Sequence, residues 1–448
     1  MTPATDTGRR SAWRQARQLA RRTPEARNRY VDFLRAASIT VVVIGHWLMA
    51  APWVEDGELR LGDMLHLAPW SQWMTWVFQV MPVFFVVGGY ANAASWESAR
   101  RANRGYGEWT AARLQRLLGP LVPLLLVWAG MSAVAHALGV DPILIRVGSQ
   151  AALIPTWFLA VYVMVVVAAP STHAAWRRFG MGSFWALALS AVLVDGVAFT
   201  AGVPRLRWLN YGFVWLGVHQ LGYAWRDGRL RGRGGALPWA AGGLAVLLLL
   251  VFAAGYPVSM ISVPGEAVSN SRPPSLALLA LGVCHTGLLL SVEGPARRWL
   301  RRSLPWTATV LVNGTIMTLY LWHVTVMVLL VGLLNLAGGF GLGFVPAGPG
   351  WWSTRPLWLL TLAAGLWIFL ALFARFERRA RREGAAALPA WRSVGGAAAV
   401  CAGVALLALG GVGGGEGPLG LRIGVLLLTF AGIALLGIRP TQRGSASV

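Results

Sequence analysis

"VDFLRAASITVVVIGHW", residues 31–47, has the apolar density of a membrane span and yet carries Asp32, Arg35 and His46. Charged side chains are expensive in hydrocarbon and persist there when they are paired or used. Arg35 and His46 stand eleven residues apart. In a helix that is about three turns, which puts them on one face roughly 16 Å apart along the axis. Asp32 precedes Arg35 by three positions, close enough to hold its guanidinium. The acidic and basic pair reads either as a satisfied couple at the membrane boundary or as part of a site. His46 reads either as a core histidine with one hydrogen bond or as a base, since a neutral imidazole in a dry pocket is suited to take a proton from a hydroxyl.

The rest of the chain agrees that this stretch is a span. Of 448 residues, 56% are hydrophobic and only 12% charged, with a mean hydropathy of +0.57. A soluble chain would be about one quarter charged. Many of the 24 tryptophans stand beside the ends of apolar runs, where amphipathic rings favour the membrane interface. The formal charge of +22 would suggest nucleic acid in a soluble chain, but here its location gives a better reading, and no nucleic-acid partner is expected. There is no lysine, so all 39 basic residues are arginine.

A window of about twenty residues marks twelve apolar segments, near 31–50, 70–94, 117–139, 153–172, 182–201, 209–225, 238–256, 275–293, 306–334, 356–374, 393–412 and 419–437. With the N-terminus inside, the inner segments hold 32 arginines and the outer ones 7, as the positive-inside bias requires. The expected fold is all-α: a polytopic integral membrane helix bundle of about twelve transmembrane helices, both termini cytoplasmic. Its parts are an Arg-rich N-terminal segment (1–29), a membrane domain (30–376), a basic cytoplasmic loop (377–392), a C-terminal helical hairpin (393–437) and a cytoplasmic tail (438–448). The first thirty residues contain no short apolar region with a small-residue cleavage site, so the first span reads as a retained anchor. Cys284 and Cys401 offer neither metal spacing nor a disulfide framework. No metal site is expected. The "GGVGGGEGPLG" at 410–420 follows no strand and reads as a linker rather than a phosphate loop. The last two spans carry almost nothing titratable and look like an appended hairpin.

Five further stretches carry chemistry. "VFQVMPVFFVVGGYANAASW" (77–96) contains Gly88, Gly89 and Tyr90, where two glycines admit either a ligand or a neighbouring helix. "AARLQRLLGPLVP" places Arg113 and Arg116 one turn apart at the inner surface. Two guanidiniums on one face suit phosphate oxygens, and they equally serve to hold a loop inside. "PTWFLAVYV" (155–163) contains Trp157, and "NGTIMTLYLWHVTV" (313–326) sets His323 among Tyr320 and Trp322. "SNSRPPSLALLALG" (269–282) is the last. The other histidines, 66, 136, 173, 219 and 285, read as ordinary packing or loop residues.

Together these segments resemble the acyltransferase 3 family, integral membrane enzymes that move acyl groups onto hydroxyls. The likeness is carried by "VDFLRA" followed by His46 (an arginine, ten residues, then a histidine), by "PVFFVVGGYANAASW", by "RLQRLLGP", by "PTWFLAVYVMVVV" and by "LYLWHVTV", in family order over about residues 30–375. Gly89 and Tyr90 stand where many members show Ser-Gly-Phe. The chain adds the C-terminal hairpin and lacks the soluble hydrolase-like domain that some members append. The resemblance implies an O-acyltransferase, for example an O-acetylase of cell-envelope polysaccharide, in the cytoplasmic membrane of a bacterium. It implies a ten-helix core plus the hairpin, acyl-coenzyme A as donor substrate and a glycan, lipid or small-molecule hydroxyl as acceptor. No tightly bound cofactor is implied. His46 matches the catalytic histidine, Arg35 its motif partner with Asp32 beside it, and Arg113 with Arg116 the pair that meets the donor's phosphates. Gly88, Gly89, Tyr90, Trp157, Tyr320, Trp322 and His323 are candidate pocket residues. A transporter of a lipid or glycan precursor is the rival class, and it should show paired broken helices in two matching halves; no such symmetry is visible. Acylation of a cytoplasmic small molecule is the other alternative.

Overall fold

The computed structural model describes residues 5–25, 27–232, 234–382 and 388–438. Part of the 377–392 loop and all but the first residue of the expected tail lie outside them. Among the described residues the architecture is all-α apart from one short hairpin. Helix α1 (Thr5–Arg21) precedes α2 (Arg29–Met49), the span quoted at the outset. Asn28 caps α2 by accepting from the Tyr30 N–H at 3.1 Å. The chain then forms the antiparallel pair β1 (Ala50–Glu55) and β2 (Glu58–Asp63), and the short helices α3 (Met64–Leu67) and α4 (Thr75–Phe78). Spans follow in α5 (Met81–Arg101), α7 (Leu121–Ala137) after the amphipathic α6 (Tyr106–Leu118), α9 (Thr156–Phe179) after α8 (Pro142–Leu153), and α10 (Met181–Thr200). Beyond them lie α11 (Asn210–Arg226), α12 (Leu237–Phe252), α13 (Leu276–Ser291), α14 (Glu293–Trp299), α15 (Ser303–Gly314), α16 (Ile316–Leu336) and α17 (Pro349–Arg382). The C-terminal pair is α18 (Ala390–Gly410) and α19 (Ile423–Leu435).

Each of the twelve apolar windows contains a helix. Among the described residues eight helices are long and apolar enough to cross a membrane, or nine if α13 and α14, bent by 54°, form one span. Helices α11, α12 and α19 have 17, 16 and 13 residues, short of the roughly 20 that a full crossing needs. The twelve-crossing expectation counts them as spans. The window at 306–334 is not continuous: it divides into α15 and α16, with Thr315 at φ −133° and ψ 23° between them. Glu377, buried on α17, explains the break. Its carboxylate accepts from the Thr318 N–H at 2.9 Å, the Thr318 hydroxyl at 2.8 Å and the Met317 N–H at 3.3 Å. An acid from another helix thereby satisfies the free donors and the positive end of α16. Residues 377–382, expected to open the basic loop, continue α17 instead.

The two ends of the bundle differ in construction. Where α2 begins, Arg226 on α11 grips Glu97 on α5 through two bonds of 2.7 and 2.6 Å, and Glu293 is shared by Arg231 and Arg297 at 2.5 and 2.8 Å. Where α2 ends, loops interlock into a cap. The Val54 N–H donates to the Leu342 carbonyl at 2.8 Å, the Trp76 indole to the Val258 carbonyl at 2.7 Å, and the Met260 N–H to the Thr75 hydroxyl at 2.8 Å. Between them, α5 and α11 touch backbone to backbone. A Cβ at Gly89 would run into the His219 carbonyl, and one at Gly222 into that of Val86. The adjacent glycines of α5 are thus divided in purpose, and Gly89 serves helix packing.

Asp195, 1% exposed on α10, anchors the cap. It accepts from Asn210 Nδ2 at 2.9 Å, the Tyr256 hydroxyl at 3.0 Å, the Leu276 N–H at 2.9 Å and Arg207 Nε at 3.4 Å. Removing one partner of such a buried network leaves Arg207 uncompensated. Asp195→Ala is expected to cost about 3–5 kcal/mol, and a thermal melt of the detergent-solubilised protein would show it; a melting temperature equal to that of the parent would mean the network holds nothing.

Candidate functional site

His46 lies in the last turn of α2 and meets His323 of α16. His46 Nδ1 is 2.7 Å from His323 Nε2, with the rings nearly parallel at 10° and their centroids 5.0 Å apart. His323 is fully buried and its Nδ1 is 2.6 Å from the Tyr320 carbonyl one turn earlier. A carbonyl only accepts, so His323 Nδ1 carries the proton. For two neutral imidazoles the rest follows: His323 Nε2 is a lone pair, His46 Nδ1–H donates to it, and His46 Nε2 is left unprotonated. Among the described residues nothing hydrogen-bonds to that nitrogen, and it is not among the buried atoms lacking a partner. It is therefore a reachable, unprotonated base.

α16 is fixed from several sides at this level. The Trp47 indole donates to the His323 carbonyl and the Trp358 indole to the Trp47 carbonyl, each at 3.0 Å. The Trp128 indole donates to the Thr325 hydroxyl at 3.0 Å, and the Tyr320 hydroxyl to the Pro155 carbonyl. Such bracing removes the freedom a catalytic ring would otherwise lose on binding substrate.

Toward the start of α2 the site becomes cationic. Asp32 is shared: Arg27 Nε donates to it at 2.5 Å and Arg35 Nη2 at 2.9 Å. Asn313 holds both members, with Arg35 Nε donating to its Oδ1 at 2.8 Å and its Nδ2 donating to the Asp32 carbonyl at 2.9 Å. One carboxylate thus serves two arginines. Arg113 on α6 lies within electrostatic reach of Arg35, Arg116 and Tyr162. It donates to the Ala91 carbonyl at 3.1 Å and rests over the Trp109 ring, while Arg116 is exposed. Neither Arg113 nor Arg116 has an acidic partner among the described residues. Tyr162 crosses this region over Gly88, where a Cβ would sit 2.9 Å from its hydroxyl; that glycine makes room for the ring.

Of the residues expected to line a pocket, the fold brings together His46, His323 and Tyr320. It turns Trp322 away onto Phe373 and Phe369 of α17, at ring separations of 4.0 and 5.0 Å. Tyr90 packs on Trp225 at 4.9 Å. Trp157 faces the cap, under the Arg272 guanidinium at 5.4 Å. Asn313, Tyr162 and Arg272 were not singled out from the sequence. A polar residue in an apolar run was the available signal for Asn313; an arginine among serines before two prolines was the signal for Arg272.

Comparison with known families adds an independent finding. A family model described as an acyltransferase domain, of the acyltransferase 3 class, matches residues 28–374. No curated protein and no solved structure matches the chain significantly.

The tautomer assignment is directly measurable. Nitrogen-15 NMR of histidine-labelled protein should show His46 protonated at Nδ1 and bare at Nε2, and His323→Ala should abolish that preference. A His46 resonance with Nε2 protonated in the unsubstituted protein would reverse the assigned chain of hydrogen bonds.

Proposed function

The chain belongs to the acyltransferase 3 family and is a membrane acyltransferase; on that premise we propose that it moves an acyl group, such as acetyl, from cytoplasmic acyl-coenzyme A to a hydroxyl. The acceptor class is a sugar, glycan, lipid or secreted small molecule, and His46 is the general base. The observation that carries this reading is the bare Nε2 of His46, held by a relay to the Tyr320 carbonyl and standing about 16 Å along α2 from the Arg35 cluster.

The steps follow from those positions. The acceptor's O–H gives its proton to His46 Nε2 as its oxygen attacks the thioester carbon. The new imidazolium is stabilised through Nδ1–H by the His323 lone pair. Collapse of the tetrahedral intermediate expels the coenzyme A thiolate, which takes the proton back from Nε2 and leaves as thiol. Attack is by the acceptor itself, so no nucleophilic serine or cysteine is required. At the other end Arg113, Arg116 and Arg35 outnumber nearby acids, which favours the anionic head of the donor. Burying that head would be prohibitive, whereas threading a thin thioester arm along the bundle is not. The acceptor therefore meets the thioester at the end of α2, at or beyond mid-membrane.

Two expectations test this. His46→Ala should lower transfer by about 10²–10⁴-fold with insertion and melting temperature unchanged, measured with labelled acyl-coenzyme A; transfer within tenfold of the parent would remove His46 as the base. Arg113→Ala and Arg116→Ala should raise the donor KM and weaken its dependence on salt, leaving the acceptor KM alone. An equal rise for a donor analogue lacking the phosphates would assign the pair to folding or topology instead.

A further inference from the structure

In the loop between α12 (Leu237–Phe252) and α13 (Leu276–Ser291) the cap presents an arginine, Arg272, that rests on an indole. Arg207 is paired with Asp195, and Arg355 donates to the Trp351 carbonyl at 3.2 Å. Arg272 has neither kind of partner. Its backbone is tied, the N–H donating to the Ser269 hydroxyl at 3.1 Å within a cluster in which Ser262 also bonds Ser269 and Ser271 at 2.8 and 3.1 Å. Its guanidinium lies over the Trp157 ring at 5.4 Å and makes no hydrogen bond or ion pair with any described residue. The side chain keeps open surface, yet protein surrounds it closely enough that burial lowers its pKa from the ordinary arginine range, an effect that nearby Tyr211 partly offsets. Arg272 is also the charge that acts on His46 from the cap side.

A cation held flat on an indole, with its N–H fork free and the bare nitrogen of His46 within its field, has the equipment to orient an anion beside the base. Guanidinium forks meet carboxylate and phosphate oxygens in pairs. On the proposed reaction this is the face from which the acceptor arrives. We propose that Arg272, seated on Trp157, is an acceptor subsite that takes a sugar-borne oxyanion, a carboxylate or a phosphate. The inference rests on the acyl-transfer reading only for what happens next; binding itself does not require turnover. The subsite selects acidic sugars over neutral ones and sets the hydroxyl next to the anionic group toward His46 Nε2. The positive charge additionally steadies the oxyanion of the tetrahedral intermediate.

The test uses the full chain in detergent with three probes: glucuronic acid, glucose 1-phosphate and methyl glucoside. Calorimetry should give binding of at least one charged probe about tenfold tighter than methyl glucoside, the worth of one charge-assisted contact, and weaker in high salt. Arg272→Gln should erase that preference while leaving the melting temperature and the donor KM unchanged. Arg272→Lys should retain part of it. Preference for glucuronic acid alone identifies a carboxylate acceptor, and preference for glucose 1-phosphate alone a phosphate-bearing one. Equal binding of charged and neutral probes by the parent protein, or an unchanged preference in Arg272→Gln, overturns the subsite. Should Arg272→Gln not fold, the parent's charge preference and its reduction in Arg272→Lys decide the matter. Transfer to the probes is then followed by mass spectrometry. Arg272-dependent binding without any transfer would sink the acyl-transfer reading and leave the subsite standing. Transfer without charge preference would do the opposite.

Discussion

The hydrogen bond between His323 Nδ1 and the Tyr320 carbonyl, 2.6 Å long, sets the direction of every proton in the site. A carbonyl oxygen cannot donate, so the proton on His323 is confined to one nitrogen and the adjoining lone pair is turned on His46. The same contact would be of little use on a helix that could rotate. α16 cannot, because Glu377 caps its start, the Trp128 and Trp47 indoles bind its flank, and the Tyr320 hydroxyl reaches the Pro155 carbonyl. The orientation of His46 therefore depends on packing several residues away on three other helices. Orientation of a base by an acceptor on its far nitrogen is the logic of the serine-protease triad, with a neutral histidine in the place of the carboxylate.

Electrostatics gives the long axis of α2 its polarity. At one end a single carboxylate, Asp32, is divided between Arg27 and Arg35, and Arg113 and Arg116 nearby have no acidic partner among the described residues. At the other end the cap carries its own unpaired cation, Arg272. The imidazole pair lies between two positive regions and has no acidic neighbour within salt-bridge distance among the described residues. Such a field favours anionic groups at both ends and, on the proposed reaction, a thiolate or tetrahedral oxyanion between them.

The local features were legible in the sequence and the long-range ones were not. The i, i+3 relation of Asp32 and Arg35, the shared face with His46 and the paired arginines on α6 depend on helical spacing alone, and each appears where spacing puts it. The His46–His323 contact joins residues 277 apart, and no periodicity carries that information. Hydropathy also misjudged the segment 306–334, because the break at Thr315 is stabilised by an acid 60 residues from Met317 rather than by any local proline. Trp322 and His323 are neighbours in sequence, and a turn of about 100° separates their directions; that is enough to send one to α17 and the other to His46. Gly88 and Gly89 read alike, yet one accommodates the Tyr162 ring and the other the backbone of α11.

The C-terminal hairpin, which lies beyond the region matched by the family, has a physical connection to the site. α18 packs along α9, and Cys401 Sγ donates to the Ala160 carbonyl at 3.2 Å. α18 and α19 meet through small residues, where a Cβ at Gly403 would run into the Thr429 hydroxyl. The linker between them docks on α8, with the Val412 N–H donating to the Ser149 hydroxyl at 3.1 Å. These contacts brace the first half of α9, the part that carries Trp157 and, just before it, the Pro155 carbonyl that receives Tyr320. A hairpin nearly devoid of titratable groups thus reaches the candidate site through packing alone: it braces the helix that carries the indole under Arg272 and the carbonyl that holds Tyr320.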